Sequence, residues 1–110
     1  MANAGRLTVA IFTIYDVRIR PGRLDDFYAK EVGGHAMAVR LGAEQPTILR
    51  DTTDDHRFVV TFRFADADAY AAFLARVAED DEAQAYNVRA KLPENPSEVL
   101  SVRVVEDFTL

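Results

Sequence analysis

His35 is the strongest candidate for chemistry in this 110-residue chain, because an imidazole exchanges protons near neutral pH. It lies on the predicted inward side of a helix, one turn beyond Glu31 and two turns beyond Tyr28. Gly33 and Gly34 come directly before it, although each glycine costs a helix roughly 1 kcal/mol relative to alanine. Their missing side chains let the helix bend or let a ligand approach the backbone closely. The alternative is that the helix only bends there and that His35 is a hydrogen-bonded residue of the core or of a dimer interface.

Tyr15 and Thr13 lie on one face of a predicted strand, the face expected to point towards the helix that carries His35. The Tyr15 hydroxyl would then reach the space below the helix, near Tyr28 and His35, where a phenol can orient or protonate an enolate. The alternative is a packed tyrosine with a satisfied hydroxyl. We predict His35 and Tyr15 as catalytic residues, and Thr13 and Tyr28 as substrate-binding residues.

A second pair of polar residues, Thr61 and Arg63, lies on another predicted strand, opposite its phenylalanine and valine positions. We predict that both bind substrate, since an arginine can hold an acidic or phenolate group. The alternative for Arg63 is an ion pair with Asp16 or Glu106.

One stretch contains residue types that bind metals, namely Asp51, Asp54, Asp55 and His56. Its composition is that of an exposed hairpin turn, so we expect no metal site there. The chain has no cysteine, which excludes a thiolate nucleophile and a zinc site built on sulfur. It also has no glycine-rich phosphate loop, no nucleophile elbow and no dinucleotide-binding fingerprint. We therefore expect no cofactor.

Charge and hydropathy argue against two classes of partner. The 18 acidic and 13 basic residues give a formal charge of −5, and an acidic surface repels phosphate backbones, so we expect no nucleic acid. No stretch approaches the ~20 apolar residues of a membrane span, and the apolar start lacks the basic region of a signal peptide. We expect one cytoplasmic domain over residues 1–110 that does not bind membranes.

The hydrophobic pattern predicts the elements that must position these residues. Leu7 to Ile19 alternates as a strand, and "PGRLDDF" begins a helix that runs to "AVRLGA". Strands follow at "TILRD" and "FVVTFRF", joined by the turn "TTDDHR". Residues 65–92 are helical, with a break at the acidic "EDDE", and "VLSVRVVEDFTL" is a final strand. The order β-α-β-β-α-β predicts an α+β, ferredoxin-like fold: a four-stranded antiparallel sheet with helices on one face.

The other face of that sheet is also apolar. Ala10, Phe12 and Ile14 point away from the helices if their neighbours on the first strand point towards them. An apolar sheet face left in water is an interaction site. The simplest cover is a second copy related by a two-fold axis, so we expect a homodimer.

Two stretches resemble a known group of proteins. "IYDVRIRPGRLDDFYA" resembles the strand, proline-glycine turn and helix that open members of the dimeric α/β-barrel superfamily. "FLARVAEDDEAQAYNVRAKL" is similar to the second helix of its NIPSNAP-like members. The resemblance implies a dimer whose two sheets form a barrel, with a pocket in each subunit between sheet and helices.

Members of that superfamily include cofactor-independent oxygenases of antibiotic biosynthesis, polyketide cyclases, haem-degrading oxygenases and proteins of no known activity, so the fold alone does not decide the function. The haem-degrading branch typically has a pocket tryptophan, which this chain lacks, so we expect no haem.

These observations predict a cofactor-free enzyme of secondary metabolism that oxygenates or cyclises an apolar aromatic or polyketide-like substrate. His35 would transfer the proton, Tyr15 and Tyr28 would orient the substrate, and Arg63 would stabilise developing negative charge. The alternative is a non-catalytic ligand-binding or accessory protein of the same fold. A pocket lined by convergent polar groups would favour the enzyme, and a collapsed apolar core would favour the alternative.

Overall fold

The computed structural model describes residues 9–108, which contain four strands and three helices. In chain order these are β1 (Ile11–Ile19), α1 (Leu24–Arg40), β2 (Glu44–Arg50), β3 (Arg57–Phe64), α2 (Ala67–Glu79), α3 (Asp81–Ala90) and β4 (Ser97–Glu106). The ferredoxin-like prediction is confirmed, with the second helical region divided in two. The predicted start of the first strand at Leu7 and the predicted end of the last strand at Leu110 lie outside the described residues.

The strands form one antiparallel sheet in the order β2-β3-β1-β4. Thr13 stands directly opposite Phe62 on the neighbouring strand, and Tyr15 stands opposite Val60. Directly opposed residues share a face, and this is the face on which the helices pack. The core lies there, where Val60 packs in one cluster with Phe27 of α1.

Local chemistry sets the ends of the helices. Gly22 takes a φ of 75° in the turn before α1, a conformation that glycine adopts without strain. The break between α2 and α3 falls at Asp80, whose side chain accepts a hydrogen bond from the backbone N–H of Ala83 at 2.9 Å. Arg40, at the end of α1, donates to both Asp80 and Glu82, so the break is tied to the first helix.

The helix-free face carries apolar residues and three ion pairs, which are Arg18–Glu98, Arg57–Asp16 and Arg63–Glu44. Phe12 and Ile14 are half-buried on it, and Leu49 of β2 is 55% exposed. Ala10, predicted to lie bare on this face, is instead buried within the single chain, where its carbonyl accepts a hydrogen bond from the backbone N–H of Asp107. The other two predicted residues therefore remain as the apolar part of β1 on this face.

The predicted partners of Arg63 were wrong. Its guanidinium lies 2.6 Å from Glu44, which stands directly opposite it across β2 and β3. Asp16 pairs with Arg57 instead, at 2.8 Å. Glu106 stands opposite Ile11, on the other face of the sheet, and so is on the wrong side for Arg63.

No helix within residues 9–108 combines the length and apolar character needed to cross a bilayer.

Candidate functional site

A cavity of about 350 Å³ lies between the sheet and the helices. Most of its wall is aliphatic and aromatic. The polar groups that reach it come from β1, α1, α3, β4 and the loop before β4, and they are Thr13, Tyr15, Lys30, Glu31, His35, Tyr86, Asn87, Asn95 and Ser97. Exposed residues such as Leu74 and Val99 also line it, so the cavity opens to the surface. A largely apolar cavity with a few convergent polar groups is the usual form of a small-molecule site.

Glu31 and His35 lie side by side in this wall. The helix spacing of four brings His35 Nε2 to 3.2 Å from Glu31 Oε2. The contact lacks hydrogen-bond alignment, and Nε2 is buried without a hydrogen-bond partner in residues 9–108. Glu31 is only 7% exposed. The edge-on packing of His35 against Phe62, with ring centroids 5.2 Å apart, holds the imidazole in place.

Lys30 compensates part of the buried negative charge. Its Nζ lies 3.6 Å from Glu31 Oε1 and donates a hydrogen bond to Ser97 Oγ at 2.9 Å. Burial lowers the pKa of Lys30, and the nearby Glu31 carboxylate opposes that shift. The Glu31 carboxylate thus lies between the Lys30 ammonium and the His35 imidazole. A buried charge is costly unless neighbouring groups compensate it.

Two phenols face the same space in their neutral form. Burial is the main cause that raises the pKa of Tyr15, with Tyr70 contributing. Burial also raises the pKa of Tyr86 far above its usual value, and the charge of Glu31 and the phenol of Tyr15 add to the shift. Both hydroxyls therefore remain protonated near neutral pH and can donate hydrogen bonds.

A close contact with Tyr86 explains one of the two adjacent glycines, Gly34. A β-carbon built at Gly34 would stand 2.9 Å from the Tyr86 hydroxyl oxygen, whereas one at Gly33 would meet nothing within 4 Å. The helix α1 runs unbroken through both glycines. Gly34 thus lets Tyr86 of α3 pack against the backbone of α1. The group that approaches the glycine pair closely is therefore a side chain of this protein.

The predicted site residues lie in three places: the cavity wall, the helix-free face and the exposed side of α1. His35, Tyr15 and Thr13 line the cavity. Thr13 is 3% exposed, and its Oγ1 has no hydrogen-bond partner in the described part of the chain. Thr61 and Arg63 lie on the helix-free face, where the Thr61 hydroxyl contacts that of Thr47 across β2 and β3.

Tyr28 lies outside the cavity and is 66% exposed. The buried side of α1 passes through Phe27, Glu31, Gly34 and Ala38. Tyr28 follows Phe27 by one residue, which turns its side chain by about 100° towards solvent.

Sequence reasoning missed the roles of Lys30, Glu31 and Tyr86 in this wall. Glu31 was placed on the inward stripe but was not singled out as a site residue. Tyr86 left one indirect signal, since a glycine within a helix indicates that something bulky approaches the backbone.

The acidic turn has a structural explanation. Asp51 accepts hydrogen bonds from the backbone and hydroxyl of Thr53, and Asp54 accepts one from the backbone N–H of His56. Over residues 9–108, no group of three or more histidine and carboxylate side chains is arranged to hold a metal ion.

No protein-family model and no curated protein matches the sequence. Several solved structures nevertheless share its fold. A NIPSNAP family protein from Agrobacterium tumefaciens is 16% identical with a TM-score of 0.69, and the match covers 96% of this chain and 90% of that one. SnoaB, a cofactor-independent oxygenase from Streptomyces nogalater, is 16% identical with a TM-score of 0.63, over 91% of this chain and 92% of that one.

A provisionally assigned antibiotic biosynthesis monooxygenase from Bordetella bronchiseptica is 17% identical with a TM-score of 0.63, over 92% of this chain and 97% of that one. At these identities the likeness shows a shared fold. The resemblance read from the sequence is thus confirmed for the architecture, while the activities belong to those proteins.

Proposed function

We propose that this protein is a cofactor-independent enzyme that transfers a proton from an apolar aromatic or polyketide-like substrate bound in the cavity. The observation that carries the proposal is the buried Glu31 carboxylate held 3.2 Å from His35 in a largely apolar wall. A histidine and a carboxylate brought together in a cavity are the residue types that general acid/base catalysis uses. The shared fold with SnoaB and the Bordetella protein supports the same class of reaction.

In this mechanism the neutral imidazole of His35 removes a proton from an acidic C–H or O–H group. The electron pair remains on the substrate as an enolate or phenolate. Glu31 stabilises the imidazolium through Nε2, which leaves Nδ1 for the substrate, and Tyr15 donates a hydrogen bond to the new oxyanion. Attack on a carbonyl of the same molecule then closes a ring, whereas reaction with molecular oxygen gives oxygenation, so the proton step is common to both outcomes.

One observation favours a second candidate, a non-catalytic ligand-binding protein. Lys30 already contacts both Glu31 and Ser97, so the carboxylate belongs to a charge-compensated network that would also stabilise an inert fold. The fold shared with the NIPSNAP family protein fits this candidate.

Hydrogen–deuterium exchange of tetralone, a bicyclic aromatic ketone, separates the two candidates. In deuterated water, wild-type protein should accelerate exchange at the carbon beside the carbonyl, as followed by proton NMR. His35→Gln should lower this rate by about 10²- to 10⁴-fold. His56→Gln is the matched control, because His56 is exposed in the turn before β3. Equal rates for wild type and His35→Gln would overturn the catalytic proposal.

We also propose that a second copy of the chain covers the helix-free face. Phe12, Ile14 and Leu49 place apolar surface there, between the Arg57–Asp16 and Arg63–Glu44 pairs. Burial of such a patch between two identical surfaces favours association.

A further inference from the structure

A second space lies on the outer side of α1. This groove of about 590 Å³ runs between α1, α3 and the segment that leads to β4. Its wall carries ionised side chains, in contrast to the largely apolar cavity, and these are Arg23, Asp26, Lys30, Glu82, Arg89 and Glu94.

The groove and the cavity share part of their walls. The residues common to both are Lys30, Gly34, Met37, Tyr86, Ala90 and Asn95. Tyr86 and Gly34 meet in this shared wall, where the hydroxyl oxygen lies 2.9 Å from the place a β-carbon on Gly34 would take. The phenol of Tyr86 therefore forms a partition between the two spaces.

Packing and one cation–π contact from Lys30 hold this partition, without a hydrogen bond. The Tyr86 hydroxyl makes no hydrogen bond to any side chain or backbone group within residues 9–108. Lys30 Nζ stands 5.9 Å from the centre of the ring, and Gly34 offers no side chain to wedge it. Rotation of the phenol away from Gly34 breaks no hydrogen bond and joins the cavity to the groove.

Arg89 is the cation of the groove that is left without an ion pair in the described part of the chain. Arg23 is paired with Asp26 at 2.6 Å, and Glu82 is paired with Arg40 at 2.6 Å. Arg89 is near enough to the phenol of Tyr86 to favour its ionised form and so opposes the rise in its pKa. An unpaired guanidinium beside an opening is suited to a carboxylate, which it binds through two parallel hydrogen bonds.

We propose that the substrate spans both spaces: its apolar rings occupy the cavity beside His35, and an acidic tail passes between Gly34 and a displaced Tyr86 to reach Arg89. This inference rests on the proposed function for the ring-binding half. It adds the chemical class of the substrate, an aromatic or polyketide-like carboxylic acid longer than the cavity.

Three probes test the span by calorimetric titration: naphthol, naphthylbutanoic acid and the methyl ester of that acid. The acid should bind wild-type protein at least tenfold more tightly than the ester. Arg89→Gln should remove that difference and leave naphthol binding unchanged. Lys91→Gln is the matched control, because it removes the same charge at the end of α3 outside the groove, and it should preserve the preference for the acid.

Tyr86→Ala provides a second measurement, since removal of the partition should strengthen acid binding further while Arg89 is present. Equal binding of acid and ester, or a preference that survives Arg89→Gln, would overturn the inference. The two proposals fail separately. Loss of His35-dependent tetralone exchange with an intact acid preference rejects catalysis alone, whereas normal exchange with no acid preference rejects the spanning substrate alone.

Discussion

Gly34 of α1 faces the phenol of Tyr86 in α3 so closely that the two residues are complementary: a side chain at position 34 would occupy the space of the phenol. Its neighbour Gly33 has open space around its missing side chain. Two adjacent glycines in one helix thus have different structural causes. One permits a helix–helix contact at the wall of the cavity, and the structure shows no contact that requires the other.

We therefore expect opposite effects from the two alanine substitutions. Gly33→Ala should raise the free energy of unfolding by about 0.5–1 kcal/mol, because alanine restricts the unfolded chain and its methyl group would meet nothing within 4 Å beyond the nearby backbone of its own helix. Gly34→Ala should lose most or all of that gain, because the new methyl group displaces Tyr86. Urea unfolding of the matched pair measures both values, and equal stabilisation of the two variants would contradict the close contact.

His35 should matter more for turnover than for folding. His35→Ala removes the imidazole beside Glu31 and should abolish accelerated tetralone exchange, while the free energy of unfolding falls by no more than about 1–2 kcal/mol. The thermal melting curve and the tetralone exchange rate are measured for wild type and His35→Ala. His56→Ala, in the exposed turn, is the control. A His35 variant that unfolds readily but exchanges normally when folded would assign the residue to the core.

Association through the helix-free face gives a third prediction. Sedimentation should report about twice the 12.3 kDa of one chain. Leu49→Asp should shift the protein towards the monomer without unfolding it, because Leu49 is 55% exposed in the single chain. Val102→Asp is the control: Val102 is 51% exposed but stands opposite Tyr15, on the other face of the sheet. Dissociation by Val102→Asp but not by Leu49→Asp would place the interface elsewhere.

The contact of Asp80 with Arg40 should make stability depend on pH in the acid range. The hydrogen bond from Arg40 is the largest cause that holds the pKa of Asp80 below its ordinary value of 3.8, and the hydrogen bond from the backbone N–H of Ala83 adds to it. Because the folded-state pKa is depressed, this stabilisation is present above the unfolded value and is lost as the pH falls through the folded one.

Asp80→Asn tests this dependence, because asparagine still caps α3 but forms no ion pair with Arg40. Near neutral pH the wild type should have the larger free energy of unfolding in urea titrations. Its difference from Asp80→Asn should shrink below about pH 4. A difference between the two proteins that stays constant through the acid range would exclude the ion pair as its cause.

Local patterns of residue types are enough to predict the order of the elements and the faces of β1 and β3. Alternation from Ile11 to Ile19 places Thr13 and Tyr15 on one side, and the acidic stretch around Asp80 breaks the second helical region, since both patterns depend only on neighbouring residues. Local patterns of the same kind predict that Tyr15 and Thr13 share a strand face and that His35 lies on the inward side of α1.

The contacts of these residues depend instead on how whole elements pack together. The register between β2 and β3 placed Glu44, and not Glu106, opposite Arg63. The rotation of α1 about its axis turned Glu31 inward and Tyr28 outward, a choice that a shift of one residue would reverse. Tyr86 reaches the cavity because α3 docks against Gly34, some fifty residues earlier in the chain. Contacts of this kind depend on the packing of whole elements, which no local pattern of residue types records.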